Sequence, residues 1–113
     1  MTEYSIQDLL DRLPGLFVPE KAAGIDAVVQ FNLSGDNGGK WFVTIRDQKC
    51  SVSSGEAAQP RLVFSASAQD CLDVFTGKLD GMRAYMSGRL KLSGDIGMAM
   101  KLTSFFDLHR WQG

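Results

Sequence analysis

Two stretches of strict alternation, separated by six small or polar residues, restrict this chain more than any other feature. Over 25–33 (IDAVVQFNL), Ile25, Ala27, Val29, Phe31 and Leu33 share one face, and Asp26, Gln30 and Asn32 the other. Over 40–47 (KWFVTIRD), Trp41, Val43 and Ile45 oppose Phe42, Thr44 and Arg46. A period of two belongs to a half-buried strand. SGDNGG at 34–39 supplies residues that tolerate positive φ, so the pair reads as a hairpin. A weaker run at 48–54, with Cys50 and Val52 on one face, adds a third strand. The result is an antiparallel meander with one oily face, which must be buried against other elements.

The flanking segments supply those elements. SIQDLLDRL at 5–13 places Ile6, Leu9, Leu10 and Leu13 at helical spacing, with Ser5 and Asp8 as an N-cap pair and Tyr4 stapling onto Leu9. Pro14 and Gly15 are expected to stop this helix. Residues 16–24 connect, with a turn of helix near Glu20 to Ala23. After the loop 55–60, RLVFSA at 61–66 reads as a fourth strand. Ser67 opens a helix bearing Ala68, Cys71, Leu72 and Phe75, which Gly77 ends. Asp80 caps a short helix with Met82, Tyr85 and Met86, closed by Gly88. RLKLSG at 89–94 alternates as a fifth strand, and Asp95 caps a final helix predicted over 96–110. The expected fold is α/β of the α+β kind: a five-stranded, mostly antiparallel sheet with helices on one face. The fifth strand is expected to cross over and join the sheet away from the fourth.

With 113 residues the chain is read as one domain, 1–113. A formal net charge of −1 gives no general pull toward nucleic acid. No run of about 18 apolar residues suggests a membrane span, and MTEYSIQDLLDR lacks the apolar core of a secretory signal. Two cysteines, Cys50 and Cys71, make no disulfide framework, and with the single His109 they lack metal-ligand spacing. No metal or other cofactor is expected. Catalytic chemistry is thin. Cys71 lies near a helix start, but no spacing connects it to His109, which reads as a helix-end histidine. Asp36, Asp70 and Asp95 fit turns and caps, and Asp73 solvent. SGDNGG lacks the lysine of a phosphate-binding loop and joins two strands. Gly94-Asp95-Ile96-Gly97 has the outline of a KH-domain loop, with an acidic residue where a nucleic-acid backbone would lie.

The informative segment is the last third. Met98, Leu102, Phe105 and Phe106 form a broad apolar stripe, widened by Ala99 and Leu108, while Ile96 and Met100 project off it. Four of the five methionines lie in 82–100, and methionine is over-used where a surface accepts variable apolar ligands. These residues suit either a methionine-filled core or the wall of an apolar cavity. Arg83, Arg89, Lys91 and Lys101 offer positive charge beside them, either as solvated charge or for an anionic head group.

MSGRLKLSGDIGMAMKL at 86–102 resembles the C-terminal signature of the sterol carrier protein type 2 family, the non-specific lipid-transfer proteins. It has a glycine, an alternating basic strand, a Gly-Asp pair and a Met- and Leu-rich helix. Ala68 to Gly77, followed by Leu79 and Gly81, and the hairpin around Phe31, Leu33, Gly39 and Trp41 extend the likeness from about Leu9 to Leu108. The resemblance implies a hydrophobic tunnel between helices and sheet that binds sterols, fatty acids, acyl-coenzyme A or phospholipids, with no shared catalytic residue. Carried over by pattern, the lipid-binding candidates are Met82, Tyr85, Met86, Met98, Leu102, Phe105 and Phe106, with Trp41 or Val43 on the sheet side. Met98→Arg or Phe105→Asp is then expected to abolish fatty-acid binding.

The chain ends in HRWQG, without a peroxisomal Ser-Lys-Leu-type address. A free-standing, untargeted form is expected to be prokaryotic and cytoplasmic. Its ligand is then expected to be a fatty acid, acyl thioester or isoprenoid more readily than a sterol. Two functions follow: non-catalytic lipid binding or transfer with transient membrane contact, or an accessory role for an enzyme of lipid or quinone synthesis. Trp111 is expected to close the core or anchor a C-terminal contact. Oligomeric state is not encoded in any of these features.

Overall fold

The computed structural model describes residues 5–36 and 38–107. Tyr4, Leu108, His109 and Trp111 lie outside the described residues. The first helix, α1 (Ile6–Leu16), opens on a reciprocal capping box. Ser5 Oγ accepts from the Asp8 N–H at 3.2 Å, and the Ser5 N–H donates to the Asp8 carboxylate at 2.9 Å. Pro14 does not stop it. The helix continues through Pro14 because Leu13 and Leu16 both reach the core and hold the last turn in place. The Leu16 carbonyl, left without a helical partner, accepts from the Asp107 N–H at 2.7 Å. A short 3₁₀ turn follows at Pro19–Ala22.

The meander forms as its alternation requires. Strands β1 (Ala27–Ser34), β2 (Gly39–Arg46) and β3 (Lys49–Ser54) pair antiparallel, with Val29 opposite Val43 and Val43 opposite Val52. Asp47 and Gln48 both take positive φ, the geometry that a tight two-residue hairpin demands. Strand β4 (Leu62–Ser67) lies parallel to β1 on its other side, and β5 (Lys91–Gly94) pairs antiparallel with β4. The sheet order is β3-β2-β1-β4-β5.

The fifth strand thus joins beside the fourth, not elsewhere. The long crossing is made between β3 and β4, where residues 55–61 pass over β2 and β1. Gln30 holds that crossing. Its side chain is 4 % exposed, although the alternation puts it on the solvent side. Its carbonyl oxygen accepts from the Ala57 N–H at 2.7 Å, and its amide donates to the Gly55 carbonyl at 3.1 Å and to Asn32 at 3.2 Å. A buried amide with every hydrogen bond made is the arrangement that avoids a desolvation penalty.

The opposite sheet face meets the helices. Helix α2 (Ala68–Thr76) starts at Ser67, whose hydroxyl accepts from the Asp70 N–H at 3.0 Å, and ends at Gly77, which takes the left-handed φ of 84°. Helices α3 (Gly81–Met86) and α4 (Ile96–Leu102) are short. The predicted helix over 96–110 gives way after Leu102 to a 3₁₀ turn at Thr103–Phe105, and Phe106 is extended. That break lets Phe106 bridge to Phe17, while the Val18 N–H donates to the Phe105 carbonyl at 2.7 Å. A continuous aromatic seam results: ring centroids are 5.1 Å apart for Phe31–Phe64, 6.3 Å for Phe64–Phe75 and 6.4 Å for Phe75–Phe106. No helix among the described residues is long and apolar enough to cross a membrane.

Candidate functional site

The helix layer is uneven. Helix α1 buries five leucine and isoleucine side chains, whereas α3 buries only Ala84. Beside α3 lies a cleft of about 240 Å³, bounded by the end of α2, by α3, by β4 and β5, and by α4. Its floor is Phe64, Phe75, Leu90 and Leu102, all buried, with Leu92, Val74 and Ala99 as walls. Met82, Tyr85 and Met100 frame the mouth and are exposed. The polar groups of the lining side chains are those of Asp80, Tyr85 and Thr103, and Asp80 is the one charged residue in it.

Local chemistry places each wall. Asp80 starts α3 by accepting from the Met82 N–H at 3.2 Å. Gly81 brings α3 close to α2: a Cβ there would sit 3.5 Å from the Val74 side chain. The Ala84 carbonyl accepts from the N–H groups of Arg89 and Leu90 at 2.9 and 3.1 Å, which turns the chain from α3 into the floor. Asp95 starts α4 by accepting from the Met98 N–H at 3.0 Å, and its second oxygen accepts from Arg61 Nε at 3.0 Å. The Met98 hydrogen bond, helped by Arg61, holds the Asp95 carboxyl below its ordinary value.

The structure divides the residues picked from sequence. Met82 and Tyr85 stand at the mouth, and Leu102 lies in the floor. Met98, Phe105 and Phe106 are buried in the core behind the cleft. Met86 is 78 % exposed and is not part of the lining. Trp41 is half-buried and borders a separate shallow groove with Leu10, Pro14 and Val52. Val43 is buried in the sheet core. Missed were Phe64, Val74, Phe75, Leu90, Leu92, Ala99, Met100 and Thr103. Two signals pointed to some of them: the alternation of Leu90 and Leu92 just after the Met-rich helix, and Met100 lying off the stripe it shares a helix with.

Of the four cations picked out, Arg89 is held by Asp70 at 2.7 Å, and Arg83 sits 3.8 Å from Asp80. Arg89 and Lys91 border a separate polar groove with Ser65 and Asn32, away from the apolar cleft. Neither cysteine is an activated nucleophile. Burial raises the Cys71 thiol far above its ordinary value and pushes Cys50 up to about 12, so both stay protonated at neutral pH. Among the described residues no three metal-ligating side chains converge.

The five-stranded α+β fold is shared with a set of solved structures. The model of the SCP-2 sterol transfer family matches residues 6–107. The chain belongs to that family. SCP-2 proteins bind and transfer lipids. Hydroxysteroid dehydrogenase-like protein 2 of Xenopus tropicalis is 36 % identical over 98 residues, which is 86 % of this chain and 24 % of that protein. The chain therefore spans about a quarter of that curated relative. Palmitated SCP2L2 from Aedes aegypti is 25 % identical with a TM-score of 0.70, covering 89 % of this chain and 93 % of that one. UbiJ-SCP2, a ubiquinone synthesis protein, shares the fold at 18 % identity with a TM-score of 0.66, covering 88 % of this chain and 84 % of that one.

Proposed function

We propose that this SCP-2 chain carries a single-tailed lipid, a fatty acid or acyl thioester, by burying the tail in the cleft beneath α3 and α4 without chemical change. The observation that carries the reading is the cleft itself: an apolar hollow whose floor is core, whose mouth is open, and whose one charged residue is Asp80. Contacts to the tail come from Met82, Tyr85, Met100, Leu90, Leu92 and Leu102. Met98, Phe105 and Phe106 support the wall from behind.

Size sets a condition on this mechanism. The cleft holds about 240 Å³, below the about 300–1,000 Å³ of sites that engulf a drug-sized molecule. A sixteen-carbon tail enters only when α3 swings out, and α3 is fastened by a single buried alanine. Burying such a tail at about 0.8 kcal/mol per methylene supplies on the order of 12 kcal/mol gross. Lost freedom removes at least about 4 kcal/mol of that. The remainder, at most about 8 kcal/mol, supports micromolar binding at best.

Organic extraction of the purified protein, followed by mass spectrometry, tests the reading together with titration of a fluorescent fatty acid. A bound lipid near one per chain and a saturable titration support it. An empty protein that fails to bind the probe refutes it.

A second reading is an accessory role for an enzyme of lipid or quinone synthesis. It is favoured by a curated relative that is dehydrogenase-like and about four times longer than this match, and by the fold shared with a ubiquinone synthesis protein. Stoichiometric capture of one such enzyme by a lipid-free chain distinguishes it.

A further inference from the structure

The two edges of the sheet are built differently. Strand β5 has four residues and carries Lys91; short length and an edge lysine are devices that keep a strand from pairing further. Strand β3 has six residues, KCSVSS, in unbroken register with β2, without proline, and its one charge, Lys49, stands at its start. Among the described residues no strand lies on its other side.

The direction of its backbone groups follows from one bond. The Gly55 N–H donates to the Lys40 carbonyl at 2.8 Å, one step beyond the Trp41–Ser54 pair. Bonded and non-bonded pairs alternate along an antiparallel ladder. Ser53, Ser51 and Lys49 therefore turn their N–H and C=O groups toward β2, and Ser54, Val52 and Cys50 turn theirs to the open edge. Among the described residues nothing hydrogen-bonds to that outward set.

We propose that β3 pairs antiparallel with β3 of a second copy of this chain, about a two-fold axis at Val52, joining two five-stranded sheets into one. Face and register select this arrangement. Cys50, Val52 and Ser54 share the helix side with Ile45, Val43 and Trp41, and Lys49, Ser51 and Ser53 lie on the other side. A two-fold axis normal to the sheet keeps each face with its like, so the pairing centres on a residue and not between two. Centred on Val52, it sets Val52 against its counterpart and Cys50 of each copy against Ser54 of the other. Every outward group then has a partner: two bonds for each of three facing pairs, about six in all. Centred on Ser51 or Ser53, one outward residue of each copy is left over. The chosen register also brings Lys49, which makes no ion pair in its own chain, opposite Gly55 and beside Glu56 of the other copy, so opposite charges meet at both ends. Half-buried Val52 gains a valine across the axis. A foreign strand would need its own matching sequence, whereas a second copy matches by symmetry.

Strands of six residues cover less than the about 1,200 Å² of a stable interface, so the dimer forms as concentration rises and separates on dilution. The cleft is walled by β4 and β5, toward the opposite edge, so pairing leaves both mouths uncovered and goes beyond the lipid-carrying reading without resting on it.

Sedimentation equilibrium of the full chain, from micromolar to millimolar concentration, tests the proposal, with amide exchange followed by NMR at both ends of the range. The mass should climb from one chain toward two. On concentration the amides of Cys50, Val52 and Ser54 should all become protected; a Ser51-centred register would leave Ser54 fast, and a Ser53-centred one Cys50. Val52→Pro removes an N–H that β2 does not use, a change an edge strand accepts. Two of the about six bonds are then lost, and dimerisation should weaken about 30-fold, about 2 kcal/mol. Lys49→Glu, which leaves the backbone intact, should weaken it as well, most at low salt.

A chain that stays monomeric at every concentration overturns the proposal and leaves the edge to a strand of another protein. A dimer in which those three amides stay fast, or which folded Val52→Pro and Lys49→Glu leave unchanged, uses another face and overturns it too. Binding of a fluorescent fatty acid should be equal in the natural chain and in Lys49→Glu, and its failure in both bears on the carrier reading alone.

Discussion

Filling the cleft from within is the sharpest way to challenge the lipid-carrying reading. Ala99 is half-buried on α4 and lines the cleft wall, so Ala99→Trp sends an indole into the hollow. The cleft of about 240 Å³ equals roughly eight waters at about 30 Å³ each, or a similar number of methylenes. Burying those is worth about 6 kcal/mol at about 0.8 kcal/mol apiece. An indole that displaces half of the buried tail removes about 3 kcal/mol, which is about a 100-fold loss of affinity. Ala99→Leu, occupying roughly three methylenes of space, should cost about 2 kcal/mol, or about 30-fold. Titration of a fluorescent fatty acid reads the affinity, and urea unfolding reads the stability. The space is present already, so the urea midpoint should hold or rise. The pair refutes the reasoning if the folded variants bind as tightly as the natural chain, for the tail then lies elsewhere.

Phe105 is 2 % exposed, so Phe105→Ala should cost about 3–5 kcal/mol of stability by urea unfolding; Met98→Arg and Phe105→Asp should likewise act on folding before they act on binding. Gly94 has φ of 101°, and a Cβ there would strike the Arg61 carbonyl, so Gly94→Ala should lower the melting temperature by loosening β5 from β4, and a Tm within a degree of the natural chain's would refute this. Asp95 has its folded pKa below its ordinary 3.8, so its contribution is complete above that value and is lost as pH falls through the lower folded one. Asp95→Asn should therefore flatten the acid limb of the stability curve below about pH 4 while lowering stability at neutral pH, as urea midpoints measured across pH will show.

Much of the fold was legible because its signals are local. Ser5, Ser67, Asp80 and Asp95 cap helices as their sequence contexts indicate, and alternation located the strands. What was illegible depends on partners distant in sequence. Pro14 carries a stop signal, yet the burial of Leu16 and the bond from Asp107 override it. Gln30 looks solvent-facing until residues 55–61 cross above it. Helical spacing shows which side chains share a face but not what that face meets. Met86 and Met98 look alike in sequence, and one is solvent-exposed while the other is core. The cleft was legible as a region, through its methionines, while its floor came from strand residues that spacing alone reads as ordinary core.

The distribution of burial explains how one small protein can be both stable and able to open. Helix α1 commits Ile6, Leu9, Leu10, Leu13 and Leu16 to the core, and the Phe31–Phe64–Phe75–Phe106 seam ties the sheet to α2 and to the chain beyond α4. Opening that part means exposing many side chains at about 1.5–3 kcal/mol each. Displacing α3 exposes Ala84 and a few cleft contacts already open to water on one side. Local opening energies follow such differences in buried contact. On the lipid-carrying proposal, the segment that has to move to admit a tail is α3, the element that commits only Ala84 to the core. The same deficit of burial predicts that the α3 amides exchange with solvent faster than those of α1.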